Sequence, residues 1–477
     1  MFSLRVLFCF ILVLGFSCYA YRNWFVSLCA AITLMAFMKH PDMPHSVAGI
    51  PGGNLWNILI VNVLIGWWRQ RPYENPTPVP RSFKIALALY FAVIFVSFLR
   101  FYINPTTFYV GNREDIVLNY LVNSVRFLIP AILLFDGCSN PNRVKGALGV
   151  IVLLYFLLAI QVMRYMGFHP DLSGSELSGR AGKVIQRSVG YDRVDMSMML
   201  SGAAWAAIAF SNLVEGKLFR WGVRGAALVI VLAQAMTGGR MGYITWFVVG
   251  LILCMVRWRR ILPLVPIGAM LILTLVPSVA ERMFTGFGGE QDGIVAHQND
   301  FAITSGRNTI WPLVIDKINE NPIFGYGRQA MITTGLAAYI AEKLNDSFPH
   351  PHEAYLEILL DDGILGLLCI VPIYFIALKR SIGLFLDRSE KEYEAAGGAA
   401  LALVLALLVA SFGAQTLYPR EGVIGMWAAI GVALRVSVNR ERKQWGEDEE
   451  TAEELEKTEE FEETNVMGSA RMALDGL

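Results

Sequence analysis

Apolar runs of about twenty residues, separated by short polar segments, recur along most of this chain. A helix needs ~20 apolar residues to cross a hydrocarbon core of ~30 Å. On that reading spanning helices are predicted near 2–20, 24–39, 53–68, 84–102, 116–135, 146–163, 195–213, 224–237, 242–256, 261–278, 363–378, 397–413 and 422–436. Between residues 278 and 363 the pattern changes. Gly286 to Gly293 is glycine-rich and reads as a flexible segment. Ile310, Trp311, Val314, Ile315 and Ile318 recur at helical spacing and predict an amphipathic helix lying on the membrane or against the bundle. Asn321-Pro322 ends it, and Gly325 and Gly327 make a turn. The predicted fold is an all-α polytopic membrane protein, a bundle of about 12–13 transmembrane helices with one large loop outside the membrane containing short helices. Its parts are N-terminal helices over 1–278, the loop over 279–362, C-terminal helices over 363–436 and a cytoplasmic tail over 437–477.

Composition agrees with the pattern. Of 477 residues 55% are hydrophobic and 17% charged, too apolar for a soluble chain of this size. The formal net charge is zero, which gives no reason to expect nucleic acid. Where the charges fall says more. Arg69, Arg71, Arg81 and Lys84 lie in one loop, Lys217, Arg220 and Arg224 in a second, Arg257, Arg259 and Arg260 in a third, and Lys379, Arg380, Arg388 and Lys391 in a fourth. Short loops rich in Lys and Arg mark the cytoplasm, so the alternate loops at 104–114, 164–193, 238–241, 279–362 and 414–421 are expected on the opposite face. Thirteen spans with the tail inside would put the N-terminus outside; a non-spanning hairpin over 1–39 is the alternative. The tail from Glu447 is a block of like charge and is expected to be disordered. Pro72, Pro76, Pro78 and Pro80 make a stiff connector. Five of the six cysteines fall inside predicted spans, which leaves no disulfide framework for the loops.

The stretch from Ser347 to Gly366 joins a polar segment holding two histidines and several carboxylates to an apolar run. Pro351 suits a first helical turn because it has no N–H to leave unpaired. A helix starting there puts His352, Leu356 and Leu359 on one face, with Gly363 and Gly366 allowing close packing at the bilayer. The positive end of the helix dipole would keep His352 neutral and able to accept a proton, while Glu353 and Glu357 push the other way. His350 would precede the helix and point elsewhere. Arg187, Arg240 and Arg307 stand on the same predicted face, each within three residues of a glycine, and a guanidinium fork fits phosphate oxygens. Arg240 could instead be a charge snorkelling at a helix end. Arg126 is an intramembrane charge, hence a candidate for a cavity or a buried pair. The pair His350 and His352 lacks further His or Cys partners, so no metal is expected. No P-loop, His-Glu-x-x-His or Asp-x-Asp motif is seen. Arginines and one histidine suit a substrate that already carries an activated phosphate leaving group.

Three elements in order resemble the O-antigen ligase and O-antigen polymerase group of bacterial membrane glycosyltransferases. They are the turn Thr237–Arg240, the run Gly306–Trp311 followed by Asn321 to Gly327, and the stretch His352 to Gly366. The resemblance covers about residues 185–375. It implies glycan transfer from undecaprenyl pyrophosphate to an acceptor hydroxyl in the inner membrane, with the active site on the periplasmic side and no metal, cofactor or nucleotide sugar. His352 then resembles the residue that activates the hydroxyl. Arg187 and Arg240 resemble the arginines that hold pyrophosphate, with Arg193 as the alternative to Arg187. Arg307, His350, Glu353 and Arg126 are possible supporting residues. Relatives often have Asn or Ser where this chain has Glu353. The acceptor divides the family between ligases onto lipid A-core, polymerases, exopolysaccharide builders and protein O-oligosaccharyltransferases. A transporter of lipid-linked sugars, needing no base, is the non-enzymatic alternative.

Overall fold

The computed structural model describes residues 4–44, 46–47, 52–73, 77–104, 111–167, 169, 172–275, 277–284, 307–344, 348–413 and 416–444. The expected flexible segment at 286–293, the acidic tail from Glu447 and Pro76 of the connector lie outside the described residues. Among the described residues there is no β-strand. We number the helices α1 (Leu4–Ala20), α2 (Trp24–Met38), α3 (Leu55–Gln70), α4 (Arg81–Ile103), α5 (Arg113–Gly137), α6 (Pro141–Met166), α7 (Gly174–Ser188), α8 (Arg193–Ser211), α9 (Lys217–Ala235), α10 (Arg240–Val256), α11 (Leu264–Leu275), α12 (Pro277–Phe284), α13 (Arg307–Glu320), α14 (Ala330–Thr333), α15 (Leu336–Leu344), α16 (Ala354–Leu386), α17 (Lys391–Ala410) and α18 (424–444).

A helix stands at each position where the apolar pattern predicts one. Eight segments are long and apolar enough to cross a membrane: α4, α5, α6, α8, α9, α16, 391–413 with α17, and 421–444 with α18. The shorter apolar helices α1, α2 and α10 accompany them. The chain is an all-α polytopic membrane protein. Its interior is built where side chains are small. Ser201 to Ala204 of α8 are all buried, and on the side facing α17 a Cβ on Gly202 would lie 2.8 Å from that of Ala406. Without a hydrophobic force between helices in lipid, such close approach is what holds neighbours together. Leu368, Val371 and Phe375 of α16 and Leu7, Phe8 and Ile11 of α1 instead face outward, as lipid contact requires.

The basic loops gather at one end of the bundle and tie it together. Arg71 pairs with Asp136 at 3.0 Å, Arg257 with Glu394 at 2.9 Å, Arg440 with Asp387 at 2.6 Å, and Arg380 with Glu441. We call this the far end, and the opposite one the mouth. The first two helices run between these ends. Arg5 donates to the Tyr165 hydroxyl at the mouth end of α6, at 2.6 Å, while Gln70 at the far end of α3 donates to the carbonyl of Ala20, at 3.3 Å. Helix α1 therefore runs from mouth to far end, and α2 returns.

At the mouth, α13 packs against the bundle, one of the two placements its spacing allows. Ile310, Val314 and Ile318 are buried in a small separate core with Met331, Ile340, Phe348 and Leu360. That core sits on a break in α16. Gly363 adopts φ 68°, ψ −169°, which a side chain would strain. The turn after α13 pairs with the groups this break exposes. Ile364 N donates to Pro322 O at 2.8 Å, Tyr326 N to Leu360 O at 2.9 Å, and Gly327 N to Asp361 O at 2.6 Å. Gly363 thus breaks the helix, where the sequence suggested only close packing.

Candidate functional site

The helix after the histidines begins three residues later than Pro351 suggests. Ala354 is its first residue, and the Glu353 carboxylate caps it by accepting from Leu356 N. An acceptor side chain at this position satisfies an orphan N–H that proline leaves untouched. His352 therefore stands outside the helix, at φ 55° in the left-handed region. The Trp311 indole N–H, 3.1 Å from Pro351 O, ties this segment to α13. His350 does not point elsewhere, since its ring centroid lies 4.3 Å from that of His352.

Both histidines line a cavity of about 360 Å³, together with Lys39, Asn119, Asn123, Arg328, Glu357, Tyr418, Arg420 and Glu421. Among the described residues two non-glycine residues have positive φ, Gln329 and His352, and both line this cavity. Strained backbone collects at functional sites because the surrounding fold must hold it there. The supports are visible. The Asp361 carboxylate accepts from Gln329 N at 3.3 Å and Ala330 N at 2.9 Å, fixing the turn that carries Arg328. The Arg328 guanidinium stacks 3.1 Å over the Tyr418 ring, whose hydroxyl donates to Asp362. Burial lowers the Arg328 pKa, but the charges of Glu357, Asp361 and Asp362 and the nearby Tyr418 outweigh it and hold the guanidinium above its ordinary value. Arg420 pairs with Asp195 of α8 at 2.6 Å.

Glu353 joins this cavity to a row of arginines. Its side chain is buried, and Oε1 has no hydrogen-bond partner among the described residues. Burial raises its pKa, partly offset by the capping N–H groups and by Arg307. Arg307, the first residue of α13, is itself pushed down by burial and by the charge of Arg240, with Glu353 acting the other way. Arg240 in turn lies in the field of Arg193. The turn before Arg240 explains the crowding. Gly238 takes φ 65°, and a Cβ on Gly239 would lie 2.7 Å from the Ser197 hydroxyl, so only glycines let α10 start against α8. Arg193 closes the contact by donating to Gly238 O at 3.3 Å.

The sequence-predicted residues thus divide. His352, His350 and Glu353 share one cavity; Arg307 lies in the field of Glu353 and of Arg240, and Arg240 in that of Arg193; Arg187 lies exposed at the end of α7. Arg126 lines an adjoining cavity, bonded to Asn57 at 3.0 Å and 3.7 Å from Glu421. Sequence reading missed Lys39, Arg328, Tyr418, Arg420 and Glu421. For Arg328 a signal existed, since it directly follows the glycine turn at 325–327. Among the described residues no cluster of three or more His, Cys, Asp or Glu side chains could hold a metal ion.

Residues 225–371 match the family model described as O-antigen ligase. Over that segment, about a third of its length, the chain is similar to the O-antigen ligase family. The O-antigen ligase match contains Arg240, Arg307, His350, His352, Glu353 and the Gly363 break. Arg126, Arg193, Arg328's partner Tyr418 and Arg420 come from outside or beyond it. No curated protein matches the chain.

Proposed function

We propose that this chain transfers a glycan from undecaprenyl pyrophosphate to an acceptor hydroxyl at the mouth of the bundle, on the periplasmic side of the inner membrane. The observation that carries the reading is His352, held in a strained conformation on the wall of a cavity whose buried Glu353 lies in the field of Arg307, which in turn feels Arg240, as Arg240 feels Arg193. His352 takes the proton of the acceptor hydroxyl, and the oxygen attacks the anomeric carbon. The bond from that carbon to the pyrophosphate oxygen breaks, and its electron pair leaves with the undecaprenyl pyrophosphate. Guanidiniums of Arg240, Arg193 and Arg307 stabilise the charge that builds there. Arg193 takes this role ahead of Arg187 because it lies against the Arg240 turn. One displacement inverts the anomeric configuration. Ligation onto lipid A-core is the reading preferred over polymerisation, from the single large loop late in the chain. The basic far end supports a cytoplasmic assignment for that face.

The test uses purified protein in proteoliposomes with lipid-linked glycan and candidate acceptors. General-base assistance contributes ~10²–10⁴-fold. His352→Ala is expected to slow transfer by about that factor while donor binding persists; Arg240→Lys is expected to weaken donor binding, because lysine cannot offer the fork. Because the two rings touch, His350→Ala is the necessary comparison. Transfer at the wild-type rate by His352→Ala, or its abolition by His350→Ala alone, would overturn the assignment; transport of the donor without transfer would favour a carrier.

A further inference from the structure

Beside the histidine cavity lies a second one of about 430 Å³, and the two share Lys39, Asn119, Asn123, Phe127 and Glu421 as walls. Both volumes fall in the range of ligand sites, about 300–1,000 Å³. The second cavity is rich in side-chain amides. Asn119 and Asn123 project from α5 about 9–15 Å along the helix from its start, a depth at which asparagine is costly unless it faces a cavity. Asn123 Nδ2 donates to Asn119 Oδ1 at 3.2 Å, which leaves the Asn119 amide hydrogens and the Asn123 carbonyl for a ligand. The helix there is π-helical over Val117–Val122, a geometry found mostly at functional sites. On the same helix, Arg126 stacks 4.6 Å from the Phe127 ring centre and is fixed by Asn57 and Glu421.

Charge decides what kind of ligand fits. Lys39 and Arg126 are matched by Asp115 and Glu421, and Lys39 already pairs with Glu421 at 2.9 Å. A balanced wall of amides and fixed charges does not select pyrophosphate, whereas the linked arginines Arg307, Arg240 and Arg193 do. We propose that this second cavity is a saccharide subsite, in which Asn119 and Asn123 hydrogen-bond the hydroxyls of a sugar next to the one that reacts at His352. This rests on the glycan-transfer reading. The sugar could belong to the donor or to a glycan acceptor, and the two share the same hydroxyl chemistry.

The experiment measures binding, not turnover. Purified full-length protein in detergent is titrated with three probes: sugar-free undecaprenyl pyrophosphate, lipid-linked glycan extracted from the source organism's membranes, and the core oligosaccharide released by mild acid from that organism's lipid A-core. If the donor's sugar occupies the cavity, wild type binds the glycan-bearing lipid more tightly than the sugar-free lipid, and Asn119→Ala/Asn123→Ala reduces that advantage about 10–30-fold. If an acceptor's sugar occupies it, the core oligosaccharide binds wild type and loses the same factor in the variant, while both lipids are unaffected. Unchanged binding of the sugar-free lipid shows that the variant is folded; should it fall too, Asn123→Ser alone is read by the same differences. A variant that keeps its glycan advantage, or a wild type with no glycan-dependent binding, overturns the subsite. In that event loss of transfer in His352→Ala would still stand for the reaction, so the two failures are distinct.

Discussion

Gly363→Ala puts the break in α16 to the test. The alanine meets two obstacles, a backbone at φ 68°, ψ −169° and the carbonyl of Ile323, which its Cβ would overlap. Strain of that kind costs ~1–3 kcal/mol. Relieving the overlap requires the turn at 322–327 to lift from the break. Four backbone hydrogen bonds go with it: Ile364 N to Pro322 O, Leu365 N to Ile323 O, Tyr326 N to Leu360 O and Gly327 N to Asp361 O. At ~1 kcal/mol net each, the change costs about 5–7 kcal/mol in all. The overlap with the Ile323 carbonyl leaves no room for the docked turn, so the turn is expected to detach at that cost and carry Arg328 and Gln329 out of the histidine cavity. The assay pairs thermal unfolding in detergent with limited proteolysis of 321–330. Gly146→Ala in α6 is the control, since nothing lies within 4 Å of a Cβ there and the change should gain up to ~1 kcal/mol. The reasoning is refuted if Gly363→Ala unfolds with wild-type stability and its turn stays protected.

Two further predictions concern Glu353 and topology. Because burial raises the Glu353 carboxyl above its ordinary value, the folded protein holds a proton there that the unfolded chain has lost; its stabilisation is complete below about pH 4.5 and disappears as pH rises through the folded value. Glu353→Gln keeps an acceptor for Leu356 N but has no such titration, so its thermal stability should gain on wild type from acid to neutral pH; a pH-independent difference would sink this account. In a cysteine-free background, a cysteine at Glu342 should react with an impermeant thiol reagent in intact cells and one at Ser389 should not, both positions being exposed on opposite ends of the bundle. The reverse labelling would reject the orientation.

The positions of the helices were legible because apolar run length is a property of each segment taken alone. Even the separate core at the mouth was half written in the spacing of Ile310, Val314 and Ile318. What could not be read was how ends meet. Pro351 is a good first helical residue by local preference, yet Glu353 supplies a side-chain cap and wins, so the register of His352 depended on a hydrogen bond rather than a pattern. Gly363 looked like a packing glycine because its other half, the turn at 322–327, lies some forty residues earlier. The histidine cavity draws Lys39, Asn119, Arg328, His352 and Arg420 from five places spread over most of the chain, and no local window contains that pairing. That Arg193 lies against the Arg240 turn while Arg187 is exposed was visible only once Gly238, Gly239 and Ser197 were seen to press α10 against α8. Hydropathy reports whether a residue is buried; chemistry in this protein depends on which residues are buried together, and those meetings occur at helix starts gathered on one end of the bundle.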